Sequence, residues 1–352
     1  MSRISDLLMG AREERAFSGA AYVIGRHDVL LEQGSLGTLS WGGDDVGDDT
    51  LWDLASLTKT ISAVGAMVLL EDGALRLEDP IDLFLQDWAT TDKAHLTIRQ
   101  LLTHTSGIPG QQPLYWGVSN NEEMLETVRR LPLRFGPGSD VEYTSQGFMV
   151  LGRILELISG QRLDALLRET VFEPIGMDST LFTPPPELQR RAAATEDCPW
   201  RHRVVQGEVH DENAVVMGGI AAHAGIFSTA TDMALLCQMM LSGGRGQRRR
   251  VLSPESVECM TRLYTRQLRL ARCLGWQGKD RAGSPGGDLF TDRSYGHTGF
   301  TGTSVWIDPS LDLFAVLLTN RVHPSRQNET VVRLRPRFHN VAVSTWGGPD
   351  RD

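Results

Sequence analysis

The sequence predicts an α+β protein in which an antiparallel sheet receives strands from both ends of the chain, while helices fill the middle. Residues 18–37 show the pattern of two strands around a turn at Arg26–Asp28. Residues 302–320 show a second such pair, joined by the turn Asp308–Asp312. Because strands joined by a short turn pair antiparallel, the α+β class follows.

The helices are predicted from apolar periodicity and from capping residues. A helical pattern runs from Ser56 to Leu70, and Gly73 stands where the carboxy-terminal cap is expected. A short helix begins after Thr97, and a longer amphipathic one ends at Gly160. A short helix is also expected at the amino terminus, with its apolar face formed by Ile4, Leu7, Leu8 and Ala11.

These elements divide the chain into two predicted domains. Residues 1–75 and 225–345 would form a discontinuous α/β domain that holds the antiparallel sheet, and residues 76–224 would form a mostly helical domain. The strand Leu313–Leu318 is continuously apolar, which is typical of a strand covered on both faces. We expect the active site to lie between the two domains.

Composition excludes several classes of function. The 352 residues carry a formal net charge of −9, whereas a nucleic-acid surface normally needs a basic face. The one basic cluster, residues 245–251, lies beside glycines and is interpreted as a solvated loop. No segment approaches the ~18 consecutive apolar residues that a membrane span requires. We therefore expect no nucleic-acid partner and no membrane span.

The cysteines and the amino terminus bear on the cellular compartment. The four cysteines are widely spaced and form no CxxC pair, so free thiols in a reducing compartment are the simplest interpretation. Asp6 interrupts the apolar residues of the amino terminus and charged residues follow at 12–15, which is unlike a secretion signal. We expect a cytoplasmic protein. The cysteines are Cys198, Cys237, Cys259 and Cys273.

The segment LWDLASLTKT, residues 51–60, contains the first candidates for chemistry. Ser56 and Lys59 are three positions apart, so on a helix their side chains share one face. The partial positive charge at a helix amino terminus stabilises a developing anion and favours the neutral form of a nearby amine. A neutral Lys59 could accept the proton of Ser56, which would make Ser56 a nucleophile. A chance pair on the surface is the alternative, since S-x-x-K is a short motif.

Two further segments contain candidate residues. Tyr143, in VEYTSQGFMVLG, lies in a loop directly before a predicted helix. It is either a buried core anchor or a phenol that transfers protons in a cleft. His297 and Thr298, in GHTGFTGTS, would lie at a strand edge on alternate faces, where the neighbouring glycines permit close approach of a ligand. A lone histidine is more often structural than catalytic.

Together and in this order, SLTK, YTS and HTG resemble the signature S-x-x-K, Y-x-N and K/H-T-G of the serine β-lactamase and penicillin-binding-protein family, in its class C β-lactamase-like branch. The segments LEDPI, LLTHTSGIPG and GEVHDENAVVMGGIAAHAGIFSTATD are similar as well. The resemblance covers roughly residues 15–340. It implies a β-lactamase-like fold, with an antiparallel sheet flanked by helices and a mostly helical inserted domain.

The resemblance implies a role for each matching residue. Ser56 would be acylated, and Lys59 would be the base or the group that keeps the base ionised. Tyr143 would carry protons to the leaving group and later activate water. His297 stands where many members have lysine. The backbone N–H groups of Ser56 and Phe300 would form an oxyanion hole, which stabilises the transition state of acyl transfer.

Two positions depart from the family pattern. Ser145 replaces an asparagine whose amide could bridge Lys59 and a substrate carbonyl, so we expect weaker binding of amide substrates and inefficient β-lactam hydrolysis. His297 removes a permanent charge that could hold a substrate carboxylate, and we expect activity to depend on pH near neutrality. Ser145, Thr298 and Phe300 are predicted to contact the substrate.

One segment brings possible metal ligands close together in sequence. The spacing of its histidines and acids matches no zinc motif, and in the similar family this loop is a wall of the active site. We therefore predict no metal and no cofactor. Asp211 and Asn213 are predicted either to contact the substrate or to hold the loop. The possible ligands are His210, Asp211, Glu212 and His223.

Two functions remain as hypotheses. The first is a serine hydrolase that forms an acyl-enzyme on Ser56 and cleaves a D-amino-acid peptide or muropeptide, a small ester or a β-lactam. The second is a non-hydrolytic β-lactam or muropeptide sensor that is acylated without turnover. Either function implies a small-molecule or short-peptide ligand, whose identity depends on loops around the cleft. The sequence contains no signal for the oligomeric state.

Overall fold

The computed structural model describes residues 2–348, and its central element is a six-stranded antiparallel sheet. In chain order the strands are β1 (Gly19–Gly25), β2 (Leu30–Gly37), β3 (Trp52–Asp53), β4 (Leu181–Phe182), β5 (Ala194–Cys198), β6 (Arg203–Gln206), β7 (Ile226–Ser228), β8 (Gln277–Gly278), β9 (Tyr295–Thr298), β10 (Ser304–Asp308) and β11 (Leu313–Thr319). The large sheet has the order β2-β1-β11-β10-β9-β8, so strands from the two ends of the chain meet at β1 and β11. The predicted hairpins β1–β2 and β10–β11 are confirmed.

The helices surround this sheet and fill the middle of the chain. They are α1 (Arg3–Glu13), α2 (Thr58–Glu71), α3 (Ile98–Leu102), α4 (Asn121–Arg130), α5 (Gln146–Ser159), α6 (Leu163–Leu167), α7 (Glu173–Ile175), α8 (Pro186–Gln189), α9 (Glu212–Val216), α10 (Ala230–Leu241), α11 (Pro254–Thr261) and α12 (Thr330–Trp346). Thr97 and Gln100 form a capping box at the start of α3. Gly160 ends α5 in the left-handed conformation that glycine favours.

Both faces of the large sheet are covered, which explains the apolar run in β11. Phe314, Val316 and Leu318 belong to the core shared with α2, α5 and α10. Ala315 and Leu317 point the other way, into a second core with α1 and α12. Alternate side chains of a strand face opposite sides of a sheet, so only a strand covered twice is apolar throughout. The predicted burial of β11 is confirmed.

Two parts of the chain differ from the predicted elements. The carboxy-terminal third, expected to return to strands, also contains α10, α11 and α12. Helix α12 is hard to recognise in the sequence because Arg333, Arg335 and Arg337 interrupt its apolar residues and Pro336 lies inside it. The middle segment contains the strands β4, β5 and β6 in addition to helices and loops. The predicted domain bounds stay a prediction.

Other expectations concern the thiols, the basic cluster and the helices. The four cysteines are all free, and each except the half-buried Cys259 is buried. In the basic cluster 245–251, Arg248 pairs with Asp178 at 2.6 Å and Arg250 donates to the carbonyl of Gly243, so the cluster is a locally bonded loop. Among the helices within residues 2–348, none combines the length and the apolarity needed to cross a membrane.

Candidate active site

Ser56 lies in a short 3₁₀ turn, Ala55–Leu57, that leads directly into α2. Lys59 lies in the first turn of α2, and its Nζ is 3.2 Å from the Oγ of Ser56. The serine is partly exposed, while the lysine is fully buried. A buried amine against a reachable hydroxyl is the arrangement in which a base can activate a nucleophile.

The Nζ of Lys59 has two further neighbours. It donates to the backbone carbonyl of His223 at 3.1 Å and lies 3.4 Å from the Oγ of Ser145. A buried polar atom needs hydrogen-bond partners, and these two contacts and the contact with Ser56 provide them for the Nζ of Lys59. Together they fix the position of the nitrogen. The shorter hydroxyl of Ser145 therefore still reaches the lysine, although it is not the amide of the family pattern.

The ring of Tyr143 lies beside the same lysine. Its centroid is 4.8 Å from the Nζ of Lys59 and 4.7 Å from the ring centroid of His104. The Oη of Tyr143 is buried and has no hydrogen-bond partner among the residues described. The structure thus brings the phenol ring to the lysine without hydrogen-bonding its hydroxyl to Ser56 or Lys59. The predicted role in proton transfer stays a prediction.

His297 lies on β9, where its side chain is buried with its ring centroid 5.8 Å from that of Tyr143. Its Nδ1 is 2.8 Å from the carbonyl oxygen of Thr298, so this nitrogen carries the proton in the neutral ring. Burial and the nearby charges of Lys59 and Arg272 lower the pKa of His297 to about 3. A ring with this pKa is neutral near pH 7, which argues against a titration of His297 in that range. The expected dependence of activity on pH stays a prediction.

The turn after β9 carries the Phe300 N–H and is attached to the segment before Ser56. The hydroxyl of Thr301 donates to the carbonyl of Asp53 at 2.7 Å, and that of Thr303 donates to the carbonyl of Leu54 at 3.0 Å. The predicted partners of the oxyanion hole are therefore held on two segments that are bonded to each other. Close packing around Gly299 leaves no room for a Cβ, since it would lie 1.9 Å from the Oγ1 of Thr303.

Two arginines fix the carbonyls of this turn. Arg321 donates through Nε to the carbonyl of Phe300 at 2.8 Å. Arg335, from α12, donates through Nη2 to the carbonyls of Gly299 and Thr303, the latter at 3.0 Å. Burial lowers the pKa of Arg335 to about 9, so its guanidinium is charged at neutral pH.

Asp53 fixes the backbone that leads into Ser56. One carboxylate oxygen accepts from the N–H of Ala55 at 2.8 Å, and the other accepts from the N–H of His210 at 2.6 Å. Burial raises the pKa of Asp53, although the two bonds oppose this. Ala55 has a φ of +47°, a left-handed conformation that costs a non-glycine residue about 1 kcal/mol or more. The bond from Asp53 holds that strained backbone directly before Ser56.

The candidate active-site cleft is a cavity of about 250 Å³ that Ser56 lines. Four predicted substrate contacts line it, and the fifth, Thr298, does not. Lys59, Tyr143 and His297 are not among its lining residues either. The predicted contacts that line the cavity are Ser145, Asp211, Asn213 and Phe300.

Asp211 and Asn213 hold the wall of the cleft as well as lining it. Asp211 caps α9 and lies 3.1 Å from the Nε2 of His223. Loss of solvent alone would raise the pKa of Asp211, but the adjacent His223 and the N–H of Ala214 hold it well below its ordinary value. Asn213 accepts from the N–H of Tyr115 at 2.9 Å. Both alternatives left open by the sequence, substrate contact and loop support, therefore fit these positions.

One group of possible metal ligands lies within the described part of the chain, at Glu196, Cys198 and Glu212, with ligand atoms within 4.8 Å of one another. Arg326 lies between the two carboxylates and bonds to both. The guanidinium therefore supplies the positive charge that a metal ion would bring. His210, outside this group of three, bonds to it through its Nε2, 3.1 Å from Glu196.

Sequence patterns did not point to several residues that hold the site. Asp53 lies three residues before Ser56 in the segment LWDLASLTKT, and its position within the motif was a usable signal. The sequence contains no such signal for three arginines, because each bonds to carbonyls or carboxylates of segments that are distant in sequence. They are Arg321, Arg326 and Arg335.

Comparison with known proteins gives consistent results. The Beta-lactamase family model matches residues 4–335. A relative from Escherichia coli (strain K12), named "Putative D-alanyl-D-alanine carboxypeptidase", is 33% identical over 305 residues, which cover 78% of this chain and 70% of the relative. A class C beta lactamase from Rhodobacter sphaeroides superposes with a TM-score of 0.75 at 20% identity, over 97% of this chain and 98% of the other. A hydrolase with promiscuous acyltransferase activity has a TM-score of 0.76 at 20% identity, over 95% and 97%.

Proposed function

The chain belongs to the beta-lactamase family and has its fold, and on that premise we propose that it is a serine hydrolase that forms an acyl-enzyme on Ser56. The observation that carries the proposal is the contact of 3.2 Å between the Nζ of Lys59 and the Oγ of Ser56, at a serine that opens into the cleft. A buried amine that faces a hydroxyl at this distance can act as its general base.

The proposed reaction has two acyl-transfer steps. The Oγ of Ser56 attacks the substrate carbonyl carbon while its proton passes to Lys59, and the resulting oxyanion is stabilised by the N–H groups of Ser56 and Phe300. The leaving group departs as an alcohol or amine after a proton is returned to it, which leaves an ester on Ser56. Water then attacks this ester, releases the carboxylic acid and restores the serine hydroxyl.

The charges of the cleft favour substrates without a carboxylate next to the bond that is cleaved. Arg326 is the one cation among the described residues that line the cleft, and it binds Glu196 and Glu212. The charge of Lys59 is engaged by Ser56, Ser145 and the carbonyl of His223, and His297 is neutral because its pKa is low. A substrate carboxylate would therefore be desolvated beside Asp211 and Glu212 without a free positive charge. We accordingly favour a carboxylate-free ester or amide over D-amino-acid peptides and β-lactams.

A non-hydrolytic sensor is the second candidate, and one observation favours it. The Oη of Tyr143, the group expected to activate water, is buried without a partner in the described chain. If water activation fails, acylation occurs without turnover. A cytoplasmic location stays a prediction for either function.

The test is a substrate panel with a mass readout. Wild type and Ser56→Ala would be given p-nitrophenyl esters, D-peptides, muropeptides and nitrocefin, and product release would be followed beside the intact mass of the protein. A hydrolase gives steady turnover that Ser56→Ala abolishes, whereas a sensor gives a burst of one product per chain and a lasting mass increase. Absence of both would refute the proposed function.

A further inference from the structure

A second cavity, of about 650 Å³, adjoins the active-site cleft. The two cavities share Tyr115, Glu212 and Arg326 as lining residues, so the second cavity begins at side chains that also bound the cleft. We call this second cavity the aromatic pocket. Its lining comprises Tyr115, Trp116, Glu196, Asp197, Pro199, Trp200, Glu212 and residues 324–327.

Three aromatic rings form one wall of the aromatic pocket. The ring centroid of Tyr115 lies 4.9 Å from that of Trp116 and 5.1 Å from that of Trp200, the latter in an edge-on arrangement. Trp116 is 69% exposed, which is unusual for an indole and leaves a flat ring face open at the cavity. Asn213, which lines the catalytic cleft, holds the N–H of Tyr115. The aromatic wall is therefore built onto the active site.

The same lining is negatively charged. Three lining carboxylates, those of Glu196, Asp197 and Glu212, face one guanidinium, that of Arg326, so the lining carries a formal charge of −2. Burial would raise the pKa of Glu196, but hydrogen bonds from His210 and Arg326 lower it to about 2, so this carboxylate is ionised. Two arginines lie behind the lining and reduce this charge: Arg201 is 5.6 Å from the Trp200 ring, and Arg321 donates to the carbonyl of Arg326. The lining side chains themselves carry the negative excess.

We propose that the aromatic pocket binds a positively charged group, an ammonium, in the part of the substrate remote from the bond that is cleaved. Aromatic faces attract cations, and the excess carboxylates add a second attraction of the same sign. An anionic group is repelled by the same carboxylates. The inference rests on the proposed function, because it places one end of the ligand at Ser56.

The experiment compares three p-nitrophenyl esters that share one chain length. Their acyl chains end in a trimethylammonium group, in its uncharged tert-butyl isostere, or in a carboxylate. A quaternary ammonium is used because it cannot attack its own ester. The quantity measured is kcat/KM for each ester, with Trp116→Ala and Asp197→Asn as pocket variants. Leu83→Ala and Asp292→Asn are the matched controls, since both replace exposed side chains elsewhere.

We expect the ammonium ester to exceed its uncharged isostere by about fivefold or more in kcat/KM, and the carboxylate ester to be the poorest of the three. The ammonium-to-isostere ratio should fall toward one in Trp116→Ala and in Asp197→Asn, and in wild type at high salt. Both controls should keep the wild-type ratio. Both values of kcat/KM in the ratio are measured with the same variant, so a general loss of activity lowers both and leaves the ratio unchanged.

The contrary outcomes separate this inference from the proposed function. A ratio at or below one in wild type, or a ratio that both pocket variants leave unchanged, overturns the ammonium site while the hydrolase stands. If none of the three esters is cleaved and Ser56 takes up no acyl group from any of them, the proposed function fails, and the pocket has no role as part of a substrate site.

Discussion

Arg335 donates a hydrogen bond to the carbonyl of Gly299, and that carbonyl belongs to the same peptide unit as the N–H of Phe300. In a trans peptide the C=O and N–H point in opposite directions, so a bond that fixes one also aims the other. The guanidinium is buried, and Arg335 is not among the residues that line the cleft. Arg335 is therefore a positioning residue for the proposed oxyanion hole, although it belongs to α12, some thirty residues after the turn.

Replacement of Arg335 by methionine should lower kcat about 10- to 100-fold while KM changes little, because a misaimed donor stabilises the transition state less and the bound substrate equally. Affinity for a boronic acid that mimics the tetrahedral state should fall in parallel. Arg335→Lys should recover part of both losses. The control is Arg333→Met, an exposed arginine on the same helix. If KM rises and kcat is kept, the positioning role is contradicted.

Replacement of Lys59 by methionine should lower kcat about 10²- to 10⁴-fold, since the Oγ of Ser56 loses the base that faces it at 3.2 Å. Ser145→Ala removes a weaker contact of the same nitrogen and should cost far less. Both are measured as steady-state rates on one p-nitrophenyl ester, with circular dichroism to verify folding. Similar rates for Lys59→Met and wild type would show that another group takes the proton.

Replacement of Tyr143 by phenylalanine separates proton transfer from structure. The Oη is buried with no partner in the part of the chain described, so its loss should leave the free energy of unfolding unchanged or raise it. An alkyl alcohol needs a proton to leave, whereas p-nitrophenol leaves without one. We expect kcat/KM to fall about tenfold or more for alkyl esters and much less for p-nitrophenyl esters. Equal losses for the two ester types would argue against a proton-transfer role.

Stability should fall as pH falls from about 6.5, because several buried histidines are neutral in the folded chain. Burial lowers the pKa of His297 and of His339 to about 3, and it lowers that of His104 well below the ordinary value. In the unfolded chain each titrates near ~6.5. Between these values the unfolded state binds more protons, so acid favours unfolding.

The measurement is the free energy of unfolding by urea at several pH values between 7 and 5. Each such histidine contributes a slope of up to about 1.4 kcal/mol per pH unit. His297→Asn removes one of these groups, and its slope should be shallower than that of wild type whatever its stability at pH 7. An unchanged slope would mean that His297 is not the buried neutral group described above.

Local signals in the sequence predicted much of the fold. Apolar runs on both sides of turn residues predicted the hairpins β1–β2 and β10–β11, and Thr97 predicted the start of α3. Local signals did not predict helix α12, because Arg335 interrupts the apolar pattern on the buried face of this helix. Arg335 can be buried there because its guanidinium donates to the carbonyls of Gly299 and Thr303, some thirty residues earlier in the chain.

The site shows the same division between local and distant interactions. The spacing of Ser56 and Lys59 is a local property of one helix, and the sequence revealed it directly. The charge state of His297 depends on burial and on Lys59 and Arg272, which no pattern in GHTGFTGTS contains. From the sequence alone, His297 was therefore expected to titrate near neutral pH, as histidines usually do.

The most direct measurement is the mass of the chain after treatment with a fluorophosphonate, followed by peptide mapping. A hydroxyl activated by Lys59 should take up one phosphonyl group per chain in wild type, on Ser56. No uptake is expected in Ser56→Ala, and much slower uptake is expected in Lys59→Met. A label on another residue, a label that persists in Ser56→Ala, or labelling of Lys59→Met at the wild-type rate would contradict an activated serine at this position.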